Sequence, residues 1–336
     1  MIIGDIDTEK KVLIIAEIGN NHEGNFEVAQ KLVREAAACG VDAVKFQTYK
    51  TEKFVSRADT ARFERLKSFE LTYSQFSQLS QLAHSLGMLF ISTPLDLESA
   101  RFLNSRIDAY KIASGDNNFY PLLDEIAKTG KPVIISTGAS EPELIDNAIS
   151  TFEQGWEKNN SRSDLAILHC VSCYPVPEKQ VNLQILATLA KKYQYSIGYS
   201  DHTNGIEASV LAVACGARII EKHFTLDKSF SSFRDHQLSA DPKDMFELVQ
   251  RIRSASILMG AKEKKIQPCE SESSIAIRRS IAAGMDMEIG HKISMTDLMW
   301  IRPGGGLEPG KECELLGKRL KRFVKFGEQL HESDVE

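Results

Sequence analysis

The chain is poor in features that would mark several protein classes. No apolar run approaches the ~20 residues of a membrane span. The N-terminal MIIGDIDTEKK is charged and has no signal-peptide core, so a cytoplasmic location is expected. Six cysteines are scattered at 39, 170, 173, 215, 269 and 313. Cys170 and Cys173 form one CxxC, but no second pair exists to complete a zinc site, so reduced thiols are expected. Excess positive charge is missing: the net charge is -5 and the pI near 6.0, which argues against nucleic-acid binding. No GxGxxG follows the first apolar run, which disfavours a dinucleotide fold.

What is present is a long alternation. Short β-branched runs occur at 12–19, 42–48, 88–94, 109–115, 132–138, 165–172, 196–202 and 218–225. Amphipathic segments separate them, such as FEVAQKLVREAAACG and YSQFSQLSQLAHSLG, each ending in the glycine that stops a helix. Eight strand–helix repeats within ~260 residues predict a (β/α)8 barrel, an α/β fold with its site at the C-terminal strand ends.

Polar residues collect at those predicted ends. They are Glu17; Lys45 and Gln47; Thr93; Lys111, Ser114 and Asp116; Ser136; Tyr174; Ser200, Asp201 and His202; Glu221 and His223. Residues two apart on a strand share a face, so Lys45 joins Gln47 and Glu221 joins His223. Asn20, His22 and Thr137 serve either the site or the backbone of their loops. His202 and His223 close two predicted parallel strands, and paired neutral imidazoles suit a divalent metal. Two lysines with several hydroxyls suit an anionic small molecule. Glu17, Asp116, Asp201, Glu221 and Asp235 are the candidates for proton transfer or orientation. The residues by themselves indicate a metal-dependent barrel enzyme acting on an anionic substrate and a carbonyl partner.

Beyond the barrel, Asp241–Met259 is predicted as a closing helix. The expected division is a catalytic barrel at 1–262, a polar linker at 263–278 and a small domain at 279–336. The small domain carries one conspicuous loop, RPGGG, beginning at Arg302. It reads either as a flexible turn with a solvated arginine or as a loop that reaches a ligand.

The motifs AEIGNNHEGN, DAVKFQT, ISTP, AYKIASGDNNFYPLL, ISTG, HCVSCYPVP, GYSDHT and EKHFTLD, in this order, resemble the sialic acid synthase family. The tail SIAAGMDMEIG…LMWIRPGGG resembles that family's SAF, or antifreeze-like, domain. The resemblance implies condensation of phosphoenolpyruvate with N-acetylmannosamine, giving N-acetylneuraminic acid and phosphate by C–O cleavage. A 2,4-diacetamido-2,4,6-trideoxy hexose, giving legionaminic or pseudaminic acid, is the alternative sugar. A Schiff-base aldolase built on Lys45 or Lys111 and a carbohydrate-binding protein are more distant alternatives.

By position, the resemblance implies that His202 and His223 hold a divalent metal, Mn2+ with Mg2+ or Co2+ as alternatives. It gives Lys45, Thr93, Lys111, Ser114, Ser136 and Ser200 to phosphoenolpyruvate. It gives Gln47, Tyr174, Asp235 and Arg302 to the sugar, and Glu17 and Asp116 to catalysis beside the two histidines. Asp116 stands where many members have glutamate. The resemblance further implies a domain-swapped homodimer in which Arg302 of one subunit completes the other's site.

Overall fold

The computed structural model describes residues 1–161 and 163–336. Eight parallel strands close into a barrel in sequence order: β1 (Leu13–Gly19), β2 (Ala43–Thr48), β3 (Leu89–Pro94), β4 (Ala109–Ile112), β5 (Val133–Ser136), β6 (Leu165–Cys170), β7 (Ser196–Asp201) and β8 (Ile219–His223). All eight expected strands form, each shorter than its apolar run. The chain leaves the ladder early because the polar ends turn into loops; Ser114–Asp116, for instance, is a 3-10 turn. His202 therefore lies one residue beyond β7, whereas His223 is the last residue of β8.

Strand parity builds the interior. Leu13, Ile15, Ala43, Leu89, Ile91, Ala109, Ile134, Ala166, Leu168 and Ile219 form one buried cluster. The next residues of the same parity toward the C-terminal ends are Glu17, Lys45, Thr93, Lys111, Ser136, Cys170 and Glu221. The lower barrel is thus apolar and the upper barrel polar. Residues of the opposite parity, such as Ile14, Val44, Phe46 and Phe90, pack outward in the larger cluster shared with the helices. The sequence reading did not anticipate a hairpin of Ile2–Ile3 and Ile6–Asp7. It adds Ile3 and Ile6 to the lower cluster.

Helix signals fall where expected. Asn25 caps α1 (Phe26–Cys39), and Gly40 ends it at φ 81°. Asp241 proves to be the cap of Pro242–Met259 rather than its first residue, because its carboxylate accepts from the Asp244 amide. A ten-residue helix not read from the sequence, Thr60–Phe69, here α2, lies between β2 and β3. No helix is long and apolar enough to cross a membrane among the described residues.

The chain divides into two compact units, Met1–Gly260 and Ala261–Glu336. The stretch expected to be a linker carries a short helix, Ser271–Ala276, and groups with the second unit. The amide of Gly304 donates to the Ile275 carbonyl, which joins that helix to the RPGGG loop. In the second unit, Ser280–Ala283 pairs antiparallel with Leu298–Ile301. Ile281, Leu298, Leu315, Leu320, Val324 and Leu330 are part of its own core. The RPGGG loop is tethered rather than free, since Ser280 Oγ donates to the Pro303 carbonyl and accepts from Gly306 N.

Candidate active site

The polar strand ends open into one cavity of ≈ 980 Å³. Glu17, Lys45, Gln47, Thr93, Lys111, Ser114, Asp116, Ser136, Tyr174, Ser200, His202, Glu221, His223 and Asp235 line it, and of the barrel candidates named above Asp201 does not. Arg302 belongs to the second unit and is exposed.

At the floor, two lysines and two carboxylates form one buried cluster. Lys45 Nζ lies 3.0 Å from Glu17 and 3.5 Å from Glu221. Lys111 Nζ donates to Ser136 Oγ at 2.6 Å and lies 3.9 Å from Glu221. Ser200 Oγ donates to Glu221 at 2.9 Å. The two lysines read as suiting an anionic small molecule are each paired with a carboxylate in this structure. The reason is burial: an unpaired cation this deep would carry a large desolvation cost. Burial pushes Glu17 up to about 7, against the pull of Lys45. Burial likewise lowers Lys111, while Glu17 and Glu221 outweigh burial and raise Lys45. Asp116 is pushed up to about 6 by burial, with Lys111 opposing.

A bulge between Glu17 and Gly19 shapes the end of β1. Gly19 has φ 53° and a Cβ there would sit 3.0 Å from Glu17 Oε1, so glycine keeps this carboxylate in place. Asn20 Nδ2 donates to Gln47 Oε1 at 3.0 Å, and both line the cavity. His22 and Thr137 serve their loops instead. His22 Nδ1 accepts from Gly24 N and Thr137 Oγ1 donates to the Leu168 carbonyl.

The two histidines approach with ring centroids 5.3 Å apart, and Tyr174 packs 4.2 Å from the His202 ring. His202 Nδ1 lies 3.0 Å from the Val171 carbonyl. Donation to that carbonyl puts a proton on Nδ1, so in the neutral ring the lone pair lies on Nε2. His223 Nδ1 is buried without a hydrogen-bond partner. Burial and the neighbouring His202 hold the His223 pKa well below its usual value, so it is neutral. Two imidazoles, one with an orphaned buried nitrogen, fit a divalent cation. Among the described residues no third His, Cys, Asp or Glu joins them in a ligand group, so a cation held by the two histidines would take its other ligands from water or substrate.

Asp201, expected as a proton-transfer candidate, points out of the barrel. It accepts from Thr203 N, Thr203 Oγ1 and Ser209 Oγ and pairs with Lys222. Parity explains this: Ser200 and His202 take the inner face, so Asp201 cannot. Missed by the sequence reading were Cys170, Arg234 and the α2 residues Arg62, Arg65, Leu66 and Phe69, which also line the cavity. The last four stand at i, i+3, i+4 and i+7, a helical stripe visible in the sequence. All six cysteines are free. Cys170 nonetheless faces the site, with Sγ 3.7 Å from His202 Nδ1.

A profile described as the NeuB family matches residues 32–264. The chain belongs to the NeuB family. It is 44% identical over 336 residues to an uncharacterized protein of Methanocaldococcus jannaschii, covering 99% of this chain and 98% of that one. It is 41% identical to the N,N'-diacetyllegionaminic acid synthase of Legionella pneumophila, covering 94% of this chain and 92% of the relative. Among solved structures, the N-acetylneuraminic acid synthetase of Leptospira borgpetersenii, in complex with citrate, matches with TM-score 0.75 and 35% identity. That alignment covers 81% of this chain and 94% of that one. These matches span most of both chains.

Proposed function

We propose that this NeuB-family chain condenses phosphoenolpyruvate with the open-chain aldehyde of an N-acetylated amino-hexose and water, giving a nine-carbon 2-keto acid and phosphate. The observation that carries the reading is the single cavity holding Lys45, Lys111 and a ring of hydroxyls beside His202 and His223. Lys45, Lys111, Thr93, Ser114, Ser136 and Ser200 hold the carboxylate and phosphate of phosphoenolpyruvate. Glu17 and Glu221 pair with Lys45, and Ser136 and Glu221 hold Lys111, so both lysines are positioned before substrate enters.

C3 of phosphoenolpyruvate forms the new bond to the aldehyde carbon, and the aldehyde oxygen takes up a proton. Glu17, its carboxyl raised to about 7 by burial, supplies that proton. Water adds at C2 and gives one proton to Asp116; the C2–O bond to phosphate then breaks, and the proton of the remaining C2 hydroxyl leaves with the phosphate as the keto group forms. Gln47, Tyr174 and Asp235 orient the sugar. His202 and His223 would hold the divalent metal, Mn2+ first; once bound, such an ion polarises a carbonyl oxygen.

N-acetylmannosamine and a 2,4-diacetamido-2,4,6-trideoxy hexose are the two sugars to weigh. The name of the Legionella relative favours the second, and that of the Leptospira structure the first. We further infer a cytoplasmic enzyme acting as a homodimer, with Arg302 supplied in trans to the sugar's acetamido group. The deciding experiment is phosphate release from phosphoenolpyruvate against a panel of amino-hexoses, with and without chelator. Release only with an amino-hexose and a divalent metal supports the reading. Formation of a borohydride-trapped pyruvyl-lysine contradicts it, since this chemistry has no imine.

A further inference from the structure

We infer that Arg62 and Arg65 select the sugar by the oxygen-bearing groups on the carbons farthest from its aldehyde. The inference rests on the reaction proposed above. Helix α2 presents Arg62, Arg65, Leu66 and Phe69 to the cavity as one stripe. The rest of the helix is weakly held, with Phe69 its one buried residue. Its C-terminal end is seated firmly. Tyr49 Oη donates to the Leu66 carbonyl, and Phe69 packs edge-on against Phe233 at 5.3 Å. The chain passes so close to Gly24 that a Cβ there would meet Ser68 O at 2.0 Å.

The charges of the outer cavity are otherwise accounted for. Arg234 pairs with Asp235 and lies over Tyr174, and Glu23 accepts from Ser231 and His236. Arg62 lies over the Phe54 ring, and among the described residues neither Arg62 nor Arg65 forms an ion pair. Two unpaired guanidiniums lining a cavity suit acceptor oxygens.

Ring order says which oxygens. His202 and His223 stand at the ends of β7 and β8, and going round the closed ring from them one passes β1 and then β2, whose end carries Gln47, before reaching α2 in the β2–β3 connection. A sugar whose aldehyde sits at His202 and His223 therefore extends past Gln47 toward α2. The group that reaches the arginines is an amide carbonyl or a phosphate on its distal carbons.

The test compares wild type with Arg62→Ala/Arg65→Ala by phosphate release. Three sugars are used: N-acetylmannosamine, its 6-phosphate, and 2,4-diacetamido-2,4,6-trideoxymannose. Wild type should favour one of the two sugars with a distal acceptor group. The double variant should lose tenfold or more in kcat/KM for that sugar alone, the scale of a lost charge-assisted hydrogen bond. The KM for phosphoenolpyruvate and the melting temperature should hold. Preference for the 6-phosphate identifies a phosphate reader, and preference for the diacetamido sugar an amide reader. An equal loss for all three sugars, an unchanged preference, or a raised KM for phosphoenolpyruvate overturns the inference. Wild type that releases phosphate with no sugar at all overturns the proposed reaction itself, and is seen before any variant is made.

Discussion

Lys222 and Asp201 form an ion pair at 3.2 Å on neighbouring strands, and both side chains are fully buried. They are direct partners in the β7–β8 register. Both point outward from the barrel, so that His202 and His223, one residue further on, point inward. The pair holds the back of the site in register without touching its cavity. Asp201→Ala leaves the Lys222 ammonium unpaired in the interior. The expected cost is about 3–5 kcal/mol, seen as a lower melting temperature or denaturant midpoint. Replacing both by apolar residues of similar size should cost much less, and an equal cost would show that the pair's charge is not the cause.

His223→Ala should keep the far-ultraviolet spectrum and the barrel, since its Nδ1 has no protein partner to lose. Binding of Mn2+, followed by calorimetry, should disappear together with turnover. Chelation of the wild type should stop phosphate release, and added Mn2+ should restore it. Tight Mn2+ binding by the variant would show that the ion sits elsewhere.

Lys111→Met removes a cation that donates to Ser136 at 2.6 Å on the floor. The KM for phosphoenolpyruvate should rise about 10- to 100-fold, the worth of one to two hydrogen bonds to a charged group. The KM for the sugar should hardly move. A rise confined to the sugar would place phosphoenolpyruvate away from β4.

Asp116 links pH to stability. Burial pushes its carboxyl up to about 6, above the ~3.9 of an unfolded aspartate. Folding therefore favours the protonated form. That stabilisation is full below about pH 4 and is lost as pH rises through about 6, a difference of roughly 3 kcal/mol at most. Asp116→Asn should melt above wild type at pH 8 and near it at pH 4, while turning over more slowly. A constant difference between the two pH values would mean that the carboxyl is not shifted.

Arg302 is exposed, and the loop that carries it is tethered by Ser280. If it acts in trans, mixing His223→Ala with Arg302→Ala after subunit exchange restores sites built from one intact barrel and one intact second unit. Up to about a quarter of wild-type activity should return, from random pairing of two defective chains in a two-fold dimer. No recovery among freely exchanging subunits would rule out shared sites.

Period-two parity and the repeated strand–helix pattern were enough for the sequence to determine the barrel. The same parity put Glu17, Lys45, Lys111, Glu221 and His223 on the inner face, because backbone geometry alone alternates side chains. Local glycine and capping signals likewise set where helices begin and end. Three things were decided only in three dimensions. Closing the ring brought Glu221 between Lys45 and Lys111 and made them a paired cluster; that depends on which strands become neighbours and on how deeply the three side chains are buried. Asp201 sits beside the paired histidines in sequence but faces the helices, and its buried partner Lys222 comes from the adjacent strand. Helix α2 had its stripe of Arg62, Arg65, Leu66 and Phe69 in plain view. What that stripe faces was settled by the close seat of Ser68 on Gly24 and of Phe69 on Phe233, contacts between segments far apart in the chain.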